Sequence, residues 1–255
     1  MRRTMSLLGA SAKMLYRDQE SLVFAVVSPM ILIGILGLFQ DLHLAVGGPS
    51  AGGVGFYDFA VPGMAAFWIV YFSVYAMSAA AAGYRSEGIL KRIAVTPTSP
   101  HQFVGAQVLT RVAIGVMQAT MILVVGALVG ATIDLGPTLV WLLPLSAVGT
   151  LLGLSMGFAI AGLTKTPEGA ASSASLVVMP LWILSGVMFP VSSLPQIVED
   201  AVEYLPTTPL VDATRGIALQ GAQLTEFASE LAVLGAWLVV SFLVAARTFR
   251  FKDAR

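Results

Sequence analysis

Six apolar stretches, each about 20 residues long, constrain the fold of this chain more than any other feature of its sequence. A helix of about 20 residues is needed to cross the roughly 30 Å hydrocarbon core of a bilayer. Of the 255 residues, 57% are hydrophobic and 11% are charged, whereas a soluble domain carries about 25% charged residues. The sequence therefore predicts an all-α polytopic membrane protein in which residues 1–255 form a single transmembrane domain. The six predicted spans are residues 22–39, 59–82, 112–130, 139–163, 170–188 and 227–246.

The placement of charged residues predicts the orientation of these spans. Thirteen of the fourteen Lys and Arg residues lie before the first span, after the last, or in and beside the loops on that same side. Loops rich in Lys and Arg remain in the cytoplasm. Nine of the fourteen acidic residues fall on the opposite side, together with one basic residue, Arg215. We therefore expect a multi-pass protein of the bacterial plasma (inner) membrane with both termini in the cytoplasm.

Two segments outside the spans also show helical patterns. Residues 1–21 place Met5, Leu8, Ala12 and Leu15 on one face with basic residues around it, which predicts an interfacial helix on the lipid of the inner leaflet. Residues 189–223 join spans five and six, and their apolar residues follow a helical period until Pro206 and Pro209. With a second short helix from Leu210 to Leu219, this segment is predicted to form an external, re-entrant lid.

One motif resembles a catalytic site but is better explained by packing. Gly153-Leu154-Ser155-Met156-Gly157 matches the G-x-S-x-G pattern of serine hydrolases. Such a serine needs a histidine within hydrogen-bond reach, and the only two histidines, His43 and His101, are predicted on opposite sides of the membrane. Small residues four apart favour close helix packing, and this face consists of Gly149, Gly153 and Gly157. An intramembrane hydrolase that uses Ser155 remains the alternative of another class.

The chain shows no source of energy of its own. It has no cysteine and no cluster of residues with metal-ligand spacing, and no glycine-rich loop follows a strand as a nucleotide site requires. The interiors of the spans hold no acidic residue of the kind that ion-coupled carriers use. We therefore expect no catalytic residue, no bound metal or cofactor, and no nucleic acid partner.

The one charged island between the spans lies at residues 83–100 and reads GYRSEGILKRIAVTPTSP. Its sequence 87–93 followed by Pro97, the stretch 184–190 (LSGVMFP), and the stretch 205–216 (LPTTPLVDATRG) occur in a characteristic order. In this order the chain resembles the permease subunits of type-2 ABC exporters, especially the daunorubicin (multidrug-resistance) branch.

This resemblance implies a non-enzymatic permease that pairs with a second permease, either an identical or a related chain. Two cytosolic ATPase subunits, which use ATP and Mg, would supply the energy. The resemblance also implies that residues 83–100 contain a cytoplasmic coupling helix, whose apolar residues enter a groove of the ATPase while its charged residues contact the rim. The implied contact residues are Glu87, Gly88, Ile89, Leu90, Lys91, Arg92, Ile93 and Pro97.

An aromatic face of the second span indicates where cargo could pass. Trp68, Tyr71 and Tyr75 share one helical face, and aromatic rings with hydroxyl groups suit amphipathic molecules. Gln118 lies well inside the third span and should face protein or a cavity. The favoured hypothesis is export of hydrophobic or amphipathic compounds, drug-like or toxic, from the cytosol or inner leaflet. The alternatives are export of a lipid or polysaccharide and a membrane scaffold that does not transport.

Overall fold

The described part of the computed structural model comprises residues 19–38, 55–89, 92, 100–133 and 135–248, and it consists of helices joined by short loops. The expected all-helical class is confirmed for this part of the chain. Two short 3-10 helices, Val191–Ser193 and Leu224–Phe227, flank the α-helices near the carboxyl end. The α-helices are α1 (Gln19–Gly37), α2 (Phe56–Ser86), α3 (Pro100–Val129), α4 (Leu139–Leu163), α5 (Pro167–Leu184), α6 (Gln196–Val202), α7 (Thr208–Gln220) and α8 (Ala228–Thr248).

Helix α2 is the centre of the bundle. It contacts α1, α3, α4, α5 and α7. A helix that is apolar on most sides is suited to a central position, and α2 buries most of its residues, including Met64, Ile69, Val70 and Met77. The other helices are therefore positioned relative to α2.

The closest packing is between α2 and α4, where three glycines of α4 lie against α2. A Cβ atom added to Gly153 would lie 2.8 Å from the carbonyl oxygen of Val70, and one added to Gly157 would lie 2.7 Å from that of Val74. Gly149, at the same spacing, faces Ile69 and also Leu210 of α7. The absence of side chains at these positions lets the two backbones approach, as small residues do in membrane bundles.

Four helical stretches of the described residues are long and apolar enough to cross a membrane. A shorter apolar helix covers Val26–Gly37. Helix α5 has only 18 residues and begins with Pro167-Glu168-Gly169, followed by several serines, which lower its hydropathy. The chain is thus a membrane protein, and the count of six spans stays a prediction. The four stretches are Phe56–Ser86, Gln102–Val129, Leu139–Leu163 and Leu224–Thr248.

Several helix bounds differ from the predicted spans for physical reasons. The predicted span 139–163 agrees with α4 at both ends. Helix α3 begins at Pro100, as expected for a proline in the first turn of a helix, and so extends before the predicted span 112–130. Helix α5 ends at Leu184 rather than at residue 188, because Gly186 adopts a φ of +70° that an α-helix cannot contain.

The segment predicted as a lid forms α6 and α7. The first helix ends at Val202, before Pro206, and Pro209 lies in the first turn of α7, where its missing N–H group costs nothing. Leu210 and Ile217 are fully buried, and α7 packs between α2, α4 and α8. This helix therefore lies inside the bundle instead of across its end, because Gly149 leaves room for Leu210.

Part of the predicted organisation lies outside the described residues. This holds for most of the interfacial helix 1–21 and for Leu90, Lys91, Ile93 and Pro97 of the coupling segment. The side of the membrane on which each loop lies also stays a prediction.

Candidate functional site

The predicted coupling segment, residues 83–100, begins in the last turn of α2, and Gly88 ends that helix. The N–H group of Glu87 donates to the carbonyl oxygen of Gly83 at 2.9 Å, and that of Gly88 donates to Arg85 at 3.2 Å. Gly88 has a φ of +68°, in the left-handed region that glycine adopts without strain. This backbone conformation explains why position 88 of the coupling segment is a glycine. It stops α2 and redirects the chain.

Ile89 and the two charged residues of the segment point to different surroundings. Ile89 is half-buried and packs against a cluster, at the end of the bundle where α2 stops, that includes Met77 and Leu154. Glu87 and Arg92 are exposed. Ile89 therefore anchors the segment to its own bundle, and was not expected in that role, whereas Glu87 and Arg92 are available to a partner.

Contacts near Ile89 join α2, α3, α4 and α5 at this end of the bundle. A side-chain nitrogen of Arg85 donates to the carbonyl oxygen of Thr164, the residue that ends α4. The rings of Tyr84 and Phe103 meet edge to face with centroids 5.3 Å apart, which joins α2 to α3. Pro167, the first residue of α5, lies beside Gly83. Sequence reasoning treated Arg85 only as one of the cytoplasmic charges, because its bond to a distant carbonyl leaves no pattern in the sequence.

The predicted aromatic face of α2 forms a continuous set of ring contacts. The Trp68 and Tyr71 rings meet edge to face with centroids 5.2 Å apart, and Tyr71 stacks on Tyr75 at 6.3 Å. Trp182 of α5, which sequence reasoning missed, stacks with Phe67 at 6.3 Å and extends this surface. Gln118 is buried on α3 and does not share the exposed face, to which Tyr75 contributes with 42% of its surface exposed.

Beside Trp182, the outward face of α5 forms an open apolar groove with a volume of about 780 Å³. Leu176, Met179 and Ile183 are exposed by 77%, 64% and 71%. Serines share this face with them. The Ser175 hydroxyl donates to the carbonyl oxygen of Ala171, one turn earlier on α5, at 3.2 Å. The residues that line the groove are Ser172, Ser175, Leu176, Met179, Pro180, Ile183 and Leu184.

At the other end of α2, Arg215 joins three elements. Its Nε atom donates to the carbonyl oxygen of Phe59 on α2 at 3.2 Å, and its Nη2 atom donates to that of Gly186, after α5, at 2.9 Å. The guanidinium lies 3.6 Å from the centroid of the Phe59 ring, within the range of a cation–π contact. Arg215 therefore fixes α7 to the ends of α2 and α5.

Asp212 lies beside this arginine, with 3.5 Å between its Oδ1 atom and Nη1 of Arg215. Burial raises the pKa of Asp212 to about 6 against the opposing attraction of Arg215, and the negative charges of Glu230 and Glu203 raise it further. Burial likewise lowers the pKa of Arg215 to about 10, although Asp212 acts in the opposite direction. The pair thus places an acid that titrates near neutral pH beside the contacts of Arg215.

The hydrolase alternative has no support in the described residues. The Ser155 hydroxyl donates to the carbonyl oxygen of Leu152 on its own helix at 2.8 Å. No group of three His, Cys, Asp or Glu side chains in that part of the chain is arranged to hold a metal ion. Ser155 is therefore positioned as an ordinary hydroxyl within a helix.

Comparison with known proteins gives a family match over most of the chain. Residues 2–219 match the family described as ABC-2 type transporter. Nodulation protein J of Rhizobium leguminosarum bv. trifolii is 29% identical over 223 residues, which are 86% of this chain and 82% of that protein. Nodulation protein J of Neorhizobium galegae is 25% identical over 236 residues, 90% of this chain and 86% of that protein.

A third relative is the inner membrane transport permease YhhJ of Escherichia coli (strain K12). It is 26% identical over 174 residues, or 64% of this chain. The match spans 45% of the length of YhhJ.

Proposed function

The chain belongs to the ABC-2 type transporter family, and from this premise we propose that it is the permease half of an ATP-driven exporter. A separate cytosolic ATPase binds the coupling segment and uses ATP and Mg. The cargo is a hydrophobic or amphipathic compound that leaves the cytosol or the inner leaflet. The chain itself catalyses no reaction.

The central, unbroken helix α2 is the observation that carries this proposal. It extends over 31 residues from Phe56 to Ser86, about 46 Å at a rise of 1.5 Å per residue. One end leads directly into the coupling segment through Gly88, and the other end is held by Arg215. A close-packed helix transmits a displacement along its axis, so movement of the segment by the ATPase reaches the opposite end of the bundle.

The groove on α5 supports the proposal that a second permease completes the transporter. Its apolar and hydroxyl-bearing side chains are exposed in the single chain. A partner permease would cover them, and cargo would pass between the two chains along α5 and the aromatic face of α2. Six spans with both termini in the cytoplasm, as the sequence predicts, fit this arrangement.

The favoured proposal and the alternative, export of a lipid or polysaccharide, differ in the compound that is transported. Half-exposed rings of tyrosine and tryptophan suit planar amphipathic compounds, and such rings line α2 from Trp68 to Tyr75. This observation favours a small amphiphile over a long polar polymer.

A transport assay tests the proposal directly. Inside-out membrane vesicles that contain the chain and its ATPase are incubated with the anionic amphipathic dye 8-anilinonaphthalene-1-sulfonate, and its uptake into the vesicles is followed with and without ATP. We expect ATP-dependent uptake that Tyr71→Ala reduces and that Ser155→Ala leaves unchanged. Uptake of a fluorescent phospholipid in place of the dye would favour the lipid alternative. A hydrolytic activity that Ser155→Ala abolishes while dye uptake is kept would favour the hydrolase.

A further inference from the structure

Arg111 is a buried cation that the proposed function leaves without a role. Only 7% of its surface is exposed. It follows Pro100, the first residue of α3, by eleven residues, which places its backbone about 16 Å along the helix at 1.5 Å per residue. No carboxylate of the described residues forms an ion pair with it. A cation in such a position is costly unless a polar or anionic group accompanies it.

The hydrogen bonds of Arg111 leave donors unused. Its Nη1 atom donates to Oε1 of Gln107, one turn earlier on α3. Within the described part of the chain, Nε of Arg111 and Nε2 of Gln107 are buried without an acceptor. Buried donors are nearly always bonded in folded proteins, so this pair calls for an acceptor that the described part of the chain does not provide.

The apolar surroundings of Arg111 strengthen the hydrogen bonds that its free N–H groups can form. Val108 and Val112, on either side of Arg111, pack against the cluster that includes Met77 of α2 and Leu154 of α4. One turn further along, Gly115 brings the backbone of α3 against Thr150 of α4. An apolar environment strengthens each hydrogen bond and each charge interaction that forms in it.

We propose that Arg111, positioned by Gln107, binds the anionic oxygen-bearing headgroup of an amphiphile, such as a phosphate, sulfate or carboxylate. The guanidinium presents its N–H groups in a fork that matches two oxygens of such a group, and the Gln107 amide supplies one more donor. A neutral or cationic headgroup would leave the charge of Arg111 unbalanced. That this amphiphile is the transported compound rests on the proposed function, whereas the binding itself does not.

Binding to the purified full chain tests this inference without the ATPase. The protein is held in dodecyl maltoside, whose headgroup is neutral, and retention of radiolabelled dodecyl phosphate is measured by equilibrium gel filtration. We expect saturable binding that Arg111→Gln weakens at least about tenfold, the effect of losing about 1.4 kcal/mol of binding free energy. Arg247→Gln, which removes an exposed cation at the end of α8, is the matched control and should bind as the unchanged chain does.

A second substitution keeps the test decisive if Arg111→Gln does not fold. Gln107→Glu places a carboxylate one turn from Arg111, where it pairs with the guanidinium and competes with any external anion. We expect it to abolish binding of dodecyl phosphate while raising the melting temperature. Arg111→Lys, which retains the charge but not the fork, should bind with intermediate strength.

A parallel titration with inorganic phosphate identifies the source of the ligand. Binding of dodecyl phosphate alone indicates a ligand that enters from the membrane, and Arg111-dependent binding of inorganic phosphate indicates one that enters from water. The inference is overturned if the unchanged chain binds neither probe, or if Arg111→Gln and Gln107→Glu both bind as it does. Failure of ATP-driven transport would count against the proposed function and would leave this result standing.

Discussion

At the scale of single residues, two arginines hold the ends of α2 through backbone carbonyl groups. Arg85 donates to the last carbonyl of the α4 region, at Thr164, and Arg215 donates to those of Phe59 and Gly186. Hydrogen bonds that involve a charged group contribute about 1.5–3 kcal/mol each. These side chains therefore fix the positions of whole helices. Sequence patterns do not reveal them, because a carbonyl group is present at every residue.

Gly153 gives a prediction about helix packing at this scale. Gly153→Ala would place a Cβ atom 2.7 Å from Cβ of Ser73 and 2.8 Å from the carbonyl oxygen of Val70. Overpacking of this kind costs about 1–3 kcal/mol, so the melting temperature in detergent should fall. Gly105→Ala, on an exposed part of α3 with open space around it, should leave stability unchanged or raise it. Equal melting temperatures for the two variants would contradict the close approach of α2 and α4.

Asp212 gives a prediction about pH. Because its pKa in the folded chain is raised to about 6 from 3.8, its contribution to stability is present below about pH 4 and is lost as the pH rises through 6. Asp212→Asn cannot ionise, so its melting temperature relative to the unchanged chain should increase between pH 4.5 and pH 7.5. The effect should be modest, since 47% of the side chain is exposed. Asp200→Asn on α6, where the residue is exposed, is the control, and the same trend in it would contradict the role of the Arg215 surroundings.

At the scale of helices, the sequence predicted those bounds that coincide with the ends of a continuous apolar run. Both bounds of α4 follow from the sequence, because 139–163 is apolar throughout and Lys165 follows soon after. The first turns of α3 lie outside the predicted span 112–130, since Gln107 and Arg111 interrupt the apolar run. The burial of α7 was missed, because it depends on the space beside Gly149, which is distant in sequence.

Gly88 gives the prediction that belongs to α2 as an element. Gly88→Ala puts a Cβ atom on a residue with a φ of +68°, which costs about 1–2 kcal/mol and should misalign the coupling segment. Gly221→Ala is the matched control: φ there is +67°, and, as at Gly88, no atom lies within 4 Å of an added Cβ. We expect similar melting temperatures for the two variants, and reduced ATP hydrolysis by the attached ATPase in Gly88→Ala alone. A loss of equal size in Gly221→Ala would show that the effect is one of general strain.

At the scale of the whole molecule, the sequence indicated the family, the central charged island and the aromatic face, each of which is a contiguous or periodic pattern. It did not indicate the α5 groove, because the exposure of Leu176 and Ile183 depends on which helices surround them. Nor did the sequence show that Ile89 packs against the chain's own helices. Patterns within one helix are readable from sequence, whereas the choice of neighbours is a property of the assembled bundle.

The groove leads to a prediction about assembly. The chain has no cysteine, so single cysteines can be introduced without background. We expect Ile183→Cys in native membranes to form a disulfide-linked dimer on mild oxidation, because the proposed function places the second permease against the α5 groove. Phe242→Cys on α8, where the side chain is 64% exposed, should stay monomeric. Cross-linking at α8 and none at α5 would place the partner on the other side of the bundle.

The central claim is that an ATPase drives this permease through the exposed charges at the end of α2. The full chain is purified by a tag from its own membranes, and ATP hydrolysis by the complex is measured for two double variants, Glu87→Ala with Arg92→Ala and, as the control, Glu168→Ala with Arg247→Ala. Both remove one acid and one base that are exposed and predicted to face the cytoplasm. We expect hydrolysis to fall at least about tenfold in the first, as for a lost contact worth about 1.4 kcal/mol, and to be retained in the second. Equal hydrolysis in the two variants, or none with the unchanged chain, would contradict this claim.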